Sequence, residues 1–118
     1  MILVFGSINA DFFLNVKSFP RPGETVLCRS YTFYPGGKGA NQAVAAARLG
    51  AEVMFAGSVG KDPYGGQVLK SLRDVGINLN RVNSEGTTTG TAFVVVEEDG
   101  ENQIVVASGA NLETCSNQ

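Results

Sequence analysis

The sequence predicts an α/β fold: a parallel sheet flanked by helices, with a separate antiparallel flap. Three observations carry this reading. Ile2 to Phe5 and Ala51 to Ala56 are short apolar runs, too short for helices and without the alternation of a half-solvated strand. Helix-forming stretches at Ala40 to Leu49 and from Asp62 to Val75 give the order strand, helix, strand, helix, which implies right-handed crossovers. Between Phe12 and Tyr34, and again between Thr91 and Ala107, strand-like segments follow one another with no helix between them. These belong to the flap.

Taken in order, Ile2 to Phe5 reads as a strand buried on both faces and stopped by Gly6. Ser7, Asn9 and Asp11 then fall just beyond its carboxyl end, where ligands sit in open α/β sheets. Asp11 can accept hydrogen bonds from two hydroxyls at once. The same segment reads equally well as a turn held by side-chain to backbone hydrogen bonds. Phe12 to Val16 is a short apolar stretch. Pro20 and Pro22 make Phe19 to Gly23 a turn, because closely spaced prolines forbid both a helix and an inner strand. Thr25 to Tyr34, with Val26, Tyr31, Thr32, Phe33 and Tyr34, reads as a strand.

Pro35 to Leu49 is the stretch with the clearest chemistry. Gly36, Gly37 and Gly39 end the preceding strand, and the alanines from Ala40 favour a helix that stops at Leu49 and Gly50. A glycine turn feeding a helix leaves backbone N–H groups aimed at one place, with partial positive charge behind them. Lys38 adds a full charge; Asn41 and Gln42 add amides. Such a site suits a ligand rich in hydroxyls, an anion, or both. It is not a P-loop, because Lys38 is followed by Gly39 rather than Ser or Thr. It is not the dinucleotide fingerprint, because Gln42 stands where a glycine is needed. The competing reading is a glycine turn that merely caps a packed helix, since a helix N-terminus binds anions only where it is left open.

Ala51 to Ala56 leads into Gly57-Ser58-Val59-Gly60. Asp62 is placed to cap a helix with Pro63 at its first position. Val68, Leu69, Leu72 and Val75 repeat at helical spacing as core positions, and Gly76 ends the helix. Ile77 to Val82 runs on to Thr87-Thr88-Thr89-Gly90. Thr91 to Glu97 and Gln103 to Ala107 are strands joined through an Asp99-Gly100 hairpin turn. With the earlier pair they would complete a flap of four antiparallel strands. Ser108 to Asn111 is a polar turn, and Leu112-Glu113 begins a further element.

Composition narrows the function. With 118 residues, 43% of them hydrophobic and 17% charged, the chain suits one folded domain. Its net charge of −2 is scattered, with no basic block, so nucleic acid is not an expected partner. No apolar run approaches a membrane span, and the first residues lack the features of a signal peptide. Cys28 and Cys115 have no metal-ligand spacing, and the absence of histidine excludes imidazole general-base chemistry and most zinc sites. A reducing, cytoplasmic compartment is expected.

Several motifs in order resemble a known family. Gly6-Ser7-Ile8-Asn9-Ala10-Asp11, Phe19-Pro20-Arg21-Pro22-Gly23-Glu24-Thr25 and Gly36-Gly37-Lys38-Gly39-Ala40-Asn41-Gln42-Ala43 are similar to the N-terminal half of ribokinase-type members of the PfkB family of carbohydrate kinases. Gly60-Lys61-Asp62, Thr89-Gly90-Thr91-Ala92 and Gly109-Ala110-Asn111 fit as well. The resemblance implies a Rossmann-like three-layer α/β/α core, incomplete here, with a small antiparallel β-sheet lid. On that reading residues 1–11 and 37–80 are core, 12–36 and 87–107 are lid, and 108–118 begin the core's continuation.

The resemblance also implies transfer of the ATP γ-phosphoryl group to the 5-hydroxyl of D-ribose. Asn9, Ala10 and Asp11, with Gly37, Lys38, Gly39, Ala40 and Asn41, would then touch the sugar. Lys38 would help neutralise charge near the moving phosphoryl group, since phosphoryl transfer rests largely on positioning and electrostatics. ATP, Mg2+ and a monovalent cation (K+) are implied, as is a homodimer formed through the lid. The family's catalytic base lies in a Gly-Ala-Gly-Asp motif expected beyond Gln118, as do the ATP pocket and the cation site. The alternatives left open are a non-catalytic module that binds sugar or dimerises through its lid and, within the family, a nucleoside or fructose kinase.

Overall fold

The computed structural model describes residues 1–114. The elements run β1 (Ile2–Phe5), β2 (Asn9–Asn15), β3 (Ser30–Gly36), α1 (Lys38–Arg48), β4 (Val53–Gly60), α2 (Pro63–Asp74), β5 (Asn78–Gly86), β6 (Gly90–Val96), β7 (Asn102–Ala107) and the 3-10 turn η1 (Gly109–Glu113). They form two sheets: a three-stranded one of order β1-β4-β5 and a four-stranded one of order β3-β2-β6-β7.

The first sheet is parallel throughout, as the alternation predicts. Its centre, β4, is longer than the apolar run that announces it. Gly57, Ser58 and Gly60, expected as a loop, remain in the strand because they pair with Val82, Asn83 and Gly86 of β5. Val53, Phe55 and Val59 of β4 meet Ala40 and Ala43 of α1 and Val68 and Leu72 of α2 in the core. The two helices lie side by side, with Asn41, Val44 and Arg48 of one and Ser71 and Val75 of the other lining a common groove.

Both helices end as local chemistry dictates. α1 starts at Gly37 (φ 97°) and is followed by Gly50 (φ 94°). α2 starts at Asp62, whose Oδ1 accepts from the Gly65 N–H at 2.8 Å, and Gly76 (φ 88°) follows it.

β1 departs from expectation. Only Val4 packs on the core; Leu3 and Phe5 are 61% and 56% exposed. β1 is an edge strand, and the register sets Leu3 and Phe5 beside Met54 and Ala56, on the sheet face away from the helices. Farther along that face Ser58 is covered by η1, through a 3.1 Å bond from Thr114.

The second sheet is the lid. β2–β3 and β6–β7 are antiparallel, but the central pair, β2–β6, is parallel, unlike the wholly antiparallel flap expected. Hairpin neighbours must run antiparallel, whereas β2 and β6 are joined through the α/β core and so can run the same way. β3 begins at Ser30, not Thr25, and runs on to Gly36; Pro35 is tolerated because β3 is a sheet edge. Phe12 lies 5.3 Å from Phe33, 5.6 Å from Phe93 and 5.2 Å from Tyr64, ring centre to ring centre. Tyr64 is in the first turn of α2, so this aromatic cluster fastens the lid to the core.

Candidate sugar-binding site

The site grows out of a close crossing of two backbones. β1 ends at Phe5, and the link Gly6-Ser7-Ile8 passes directly under the first turn of α1. The Ala40 N–H donates to the Ser7 carbonyl at 3.0 Å. A Cβ on Gly37 would come within 2.6 Å of the Ser7 carbonyl oxygen, and one on Gly39 within 2.8 Å of the Ser7 nitrogen. Gly37 also holds a left-handed φ. Only glycine therefore lets the turn and the β1–β2 link touch.

Gly37 caps α1 without any side-chain hydrogen bond. Ala40 N–H goes to Ser7 and Asn41 N–H to the Gly37 carbonyl, while the Lys38 and Gly39 N–H groups have no partner among the described residues. The helix start thus leaves two donors without a partner among the described residues, backed by the dipole.

Beside it stands an open acceptor. Asp11 Oδ1 is buried and has no hydrogen-bond partner among the described residues. Its carboxylate lies against Gly36, where any side chain would collide with it. Burial pushes the Asp11 carboxyl above its ordinary value of 3.8. A buried, unpaired carboxylate oxygen costs folding free energy unless a ligand donates to it.

Asn9 takes part differently. Its Oδ1 accepts from Asn111 Nδ2 at 2.8 Å, and Asn111 Oδ1 accepts from the Ile8 N–H at 2.9 Å. Asn9 and Asp11 are two apart on β2 and so share one face of the strand. Both were expected in a loop after β1; both lie in β2, because the strand begins at Asn9 and pairs on either side with β3 and β6.

The remaining predicted residues divide by burial. Ala10 is fully buried, so its side chain is a core contact. Gly39 and Ala40 are buried in the crossing and act through close packing. Lys38 is exposed at the helix start. Asn41 lines the groove of about 220 Å³ between α1 and α2, with no hydrogen bond to Asn9 or Asp11 among the described residues.

A larger cleft of about 380 Å³ opens beside the start of α2, lined by Gly60, Lys61, Asp62, Gly65 and Ser84 among others. Its chemistry is closed. Asp62 accepts from Gly65 N, Thr89 N and Thr89 Oγ1 at 2.8, 2.8 and 2.7 Å. Burial pushes its carboxyl up, but these bonds from Thr89 and Gly65 outweigh it and hold the group below 3.8. Lys61 is paired with Glu85 at 2.9 Å. The cleft is larger here, but the groups without partners among the described residues are Asp11 Oδ1 on β2 and the N–H groups at the start of α1.

Residues 1–117 match the model of the pfkB family of carbohydrate kinases. This chain belongs to that family. It is 47% identical over 111 residues to ribokinase of Haemophilus influenzae and 48% identical over 111 residues to ribokinase of Bacillus subtilis. Each alignment covers 93% of this chain but only 36% and 38% of the relative, so the chain spans little more than a third of the curated relatives it matches. Among solved structures, Arabidopsis thaliana ribokinase complexed with ribose and ATP superposes with a TM-score of 0.86 and 37% identity, over 92% of this chain and 36% of the other. The fold is accordingly ribokinase-like, a mixed α/β core with a β lid.

Within this pfkB chain, sequence reasoning named the turn and Asp11, but not the room Gly36 leaves for the Asp11 carboxylate nor the bond of Asn111 to Asn9. Gly36 was legible only as a strand breaker; its task of leaving room for a carboxylate needs the β2–β3 register. Asn111 stood in a motif that fitted the family, yet its partner lies 102 residues away.

The ATP and cation sites that the family resemblance implies are expected mostly beyond Gln118, and the acidic groups at the α2 start and the β6–β7 hairpin do not fit a triphosphate. The capped start of α2 carries a carboxylate that would repel phosphate. The clustered carboxylates of Glu97, Asp99 and Glu101 lie at the β6–β7 hairpin, where Glu97 and Asp99 accept from the Phe19 and Glu101 N–H groups. Neither of these acidic groups offers a place for a phosphate, and no step through ATP, Mg2+ or K+ is routed through them.

Proposed function

We propose that this chain is the sugar-holding portion of a ribokinase-type phosphotransferase, which moves the ATP γ-phosphoryl group to the 5-hydroxyl of D-ribose. The observation that carries it is the buried Asp11 Oδ1 beside the N–H groups of Lys38 and Gly39, all without a partner among the described residues. A polyhydroxylated sugar supplies both missing partners. Its hydroxyl hydrogens are donated to Asp11, and its oxygens accept from the helix start. The closed cluster around Asp62 has no such need. ATP as phosphoryl donor rests on family membership and on the ribose and ATP complex of the Arabidopsis relative. Mg2+, K+ and a cytoplasmic location rest on the family resemblance alone.

Holding is the chemistry these residues perform. Asp11 and Asn9 fix the ring, the glycine turn closes against it, and Lys38, exposed at the same helix start, adds positive charge near the acceptor oxygen. The lid leaves Tyr34, Ile104 and Val106 exposed on the Asp11 face; the other face, fastened to α2 through Phe12, Phe33 and Phe93, leaves Tyr31 and Val105 exposed beyond that contact. One apolar face to close over a sugar and a second to pair with another copy supports the proposal of a lid-to-lid homodimer.

Asp11→Ala tests the reading in the complete protein carrying this sequence. Losing a charged acceptor shared by two hydroxyls should weaken D-ribose binding about 100-fold or more, with the thermal midpoint held or raised. Wild-type ribose affinity in this variant, measured by titration calorimetry, would refute the assignment. Comparing ribose with adenosine and fructose as acceptors then fixes the substrate within the family.

A further inference from the structure

The Asn9–Asn111 bridge fixes a donor pattern that the site residues alone leave undetermined. An asparagine amide can present either its oxygen or its NH2 group to a ligand, and only its hydrogen-bond network decides which. Here the network is anchored by a group that cannot be reversed. The Ile8 backbone N–H can only donate, and it points at the Asn111 side chain at 2.9 Å. Asn111 must therefore turn Oδ1 toward Ile8, which leaves its Nδ2 facing Asn9 at 2.8 Å. Asn9 must in turn offer Oδ1 to that donor. Its own NH2 group is the part left for a ligand.

We infer that Asn111 is a positioning residue of the sugar site: by occupying the Asn9 oxygen it commits Asn9 to donating, beside an Asp11 that only accepts. This rests on the sugar-site reading above and deepens it. The pair then matches two hydroxyls, one accepting from Asn9 and the other donating to Asp11. Gly90 makes the bridge possible, because a side chain there would strike Asn111 Nδ2 and come within 2.7 Å of Asn9 Oδ1. Gly90 opens β6 and η1 follows β7, so the lid's closing strands and the return to the core meet at this one contact.

The near-isosteric change Asn111→Asp tests it in the complete protein, with D-ribose as the probe. Asp at 111 still accepts from Ile8 but cannot donate, so Asn9 swings its NH2 inward and presents its oxygen to the sugar. Ribose affinity should fall about tenfold or more, one good hydrogen bond exchanged for a repulsion. The same change made in an Asn9→Ala background should cost nothing further, since the effect runs through Asn9. Wild-type ribose affinity in Asn111→Asp, or losses that multiply in the double variant, would overturn the inference. Should Asn111→Asp fail to fold, the side-chain NH2 signals of Asn9 in the unaltered protein decide. They must shift on ribose titration, and signals that stay still while the α1 turn responds overturn the inference. The Asp11→Ala control separates the two levels. If it leaves ribose binding intact, the sugar-site reading itself falls and this inference with it.

Discussion

The two helix starts of this chain are built from the same parts and do opposite things. Each has an aspartate and a glycine-rich approach at the end of a strand. At α2 the aspartate is the cap. Asp62 commits its oxygens to Gly65 and Thr89, and Thr89 Oγ1 itself accepts from the Gly60 N–H at 3.0 Å. At α1 the cap is Gly37, which has no side chain to offer, and the aspartate stands apart on β2 with a buried oxygen unpaired. One start is finished by the protein itself; the other keeps groups without a partner among the described residues. A helix N-terminus and a nearby carboxylate therefore do not make a site until their bonding is counted.

Breaking the closed end should have the largest effect on stability. Asp62→Ala removes a cap and leaves the buried Thr89 donors unpaired, a loss of about 3 kcal/mol from the two causes together. Urea unfolding would measure it, and an unchanged midpoint would mean that Thr89 finds other partners.

Next is the crossing at the open end. Gly37→Ala places a Cβ against the Ser7 carbonyl in a left-handed conformation, which should cost about 2 kcal/mol. It should also weaken ribose binding, because the turn is displaced from Asp11. Loss of stability with full ribose affinity would separate the turn from the site.

The smallest effect has the opposite sign and bears most directly on the contrast. Asp11→Asn removes a buried unpaired charge, so at neutral pH the variant should be more stable by about 1 kcal/mol or less, while binding ribose less well. The pH dependence follows from burial raising the Asp11 carboxyl above 3.8. The folded state holds that proton more tightly than the unfolded state. Asp11 therefore contributes stability at pH values below 3.8, and this contribution is lost as pH rises through the raised value. Asp62 runs the other way, contributing above 3.8 and losing that contribution as pH falls through its lowered value. Unfolding free energies of wild type and Asp11→Asn should diverge as pH rises through that window and run parallel above it; curves that stay parallel across it would contradict the burial of Asp11.

Much of this was legible without coordinates. Gly50, Gly76 and the Asp62-Pro63 pair mark helix ends because capping is decided within a few residues of the chain. The Asp99-Gly100 turn and its two strands are equally local. The exposure of β1 was not legible: an apolar run reports that a strand can be buried on both faces, not that both faces are covered. Nor was the extent of β4, whose glycines look like a loop until β5 pairs with them.

Local patterns in the chain were enough for the order of elements, for where both helices stop, and for the chemical eligibility of Asp11 and the Gly36 to Gly39 turn to hold a ligand, because propensity, capping and side-chain chemistry act over a turn or less. It took the folded arrangement to make β2 and β6 run parallel, to saturate Asp62 while leaving Asp11 open, and to bring Asn111 to Asn9. Those facts depend on which distant groups come within hydrogen-bond distance. The packing of the lid against the core sets that, and no local pattern encodes it.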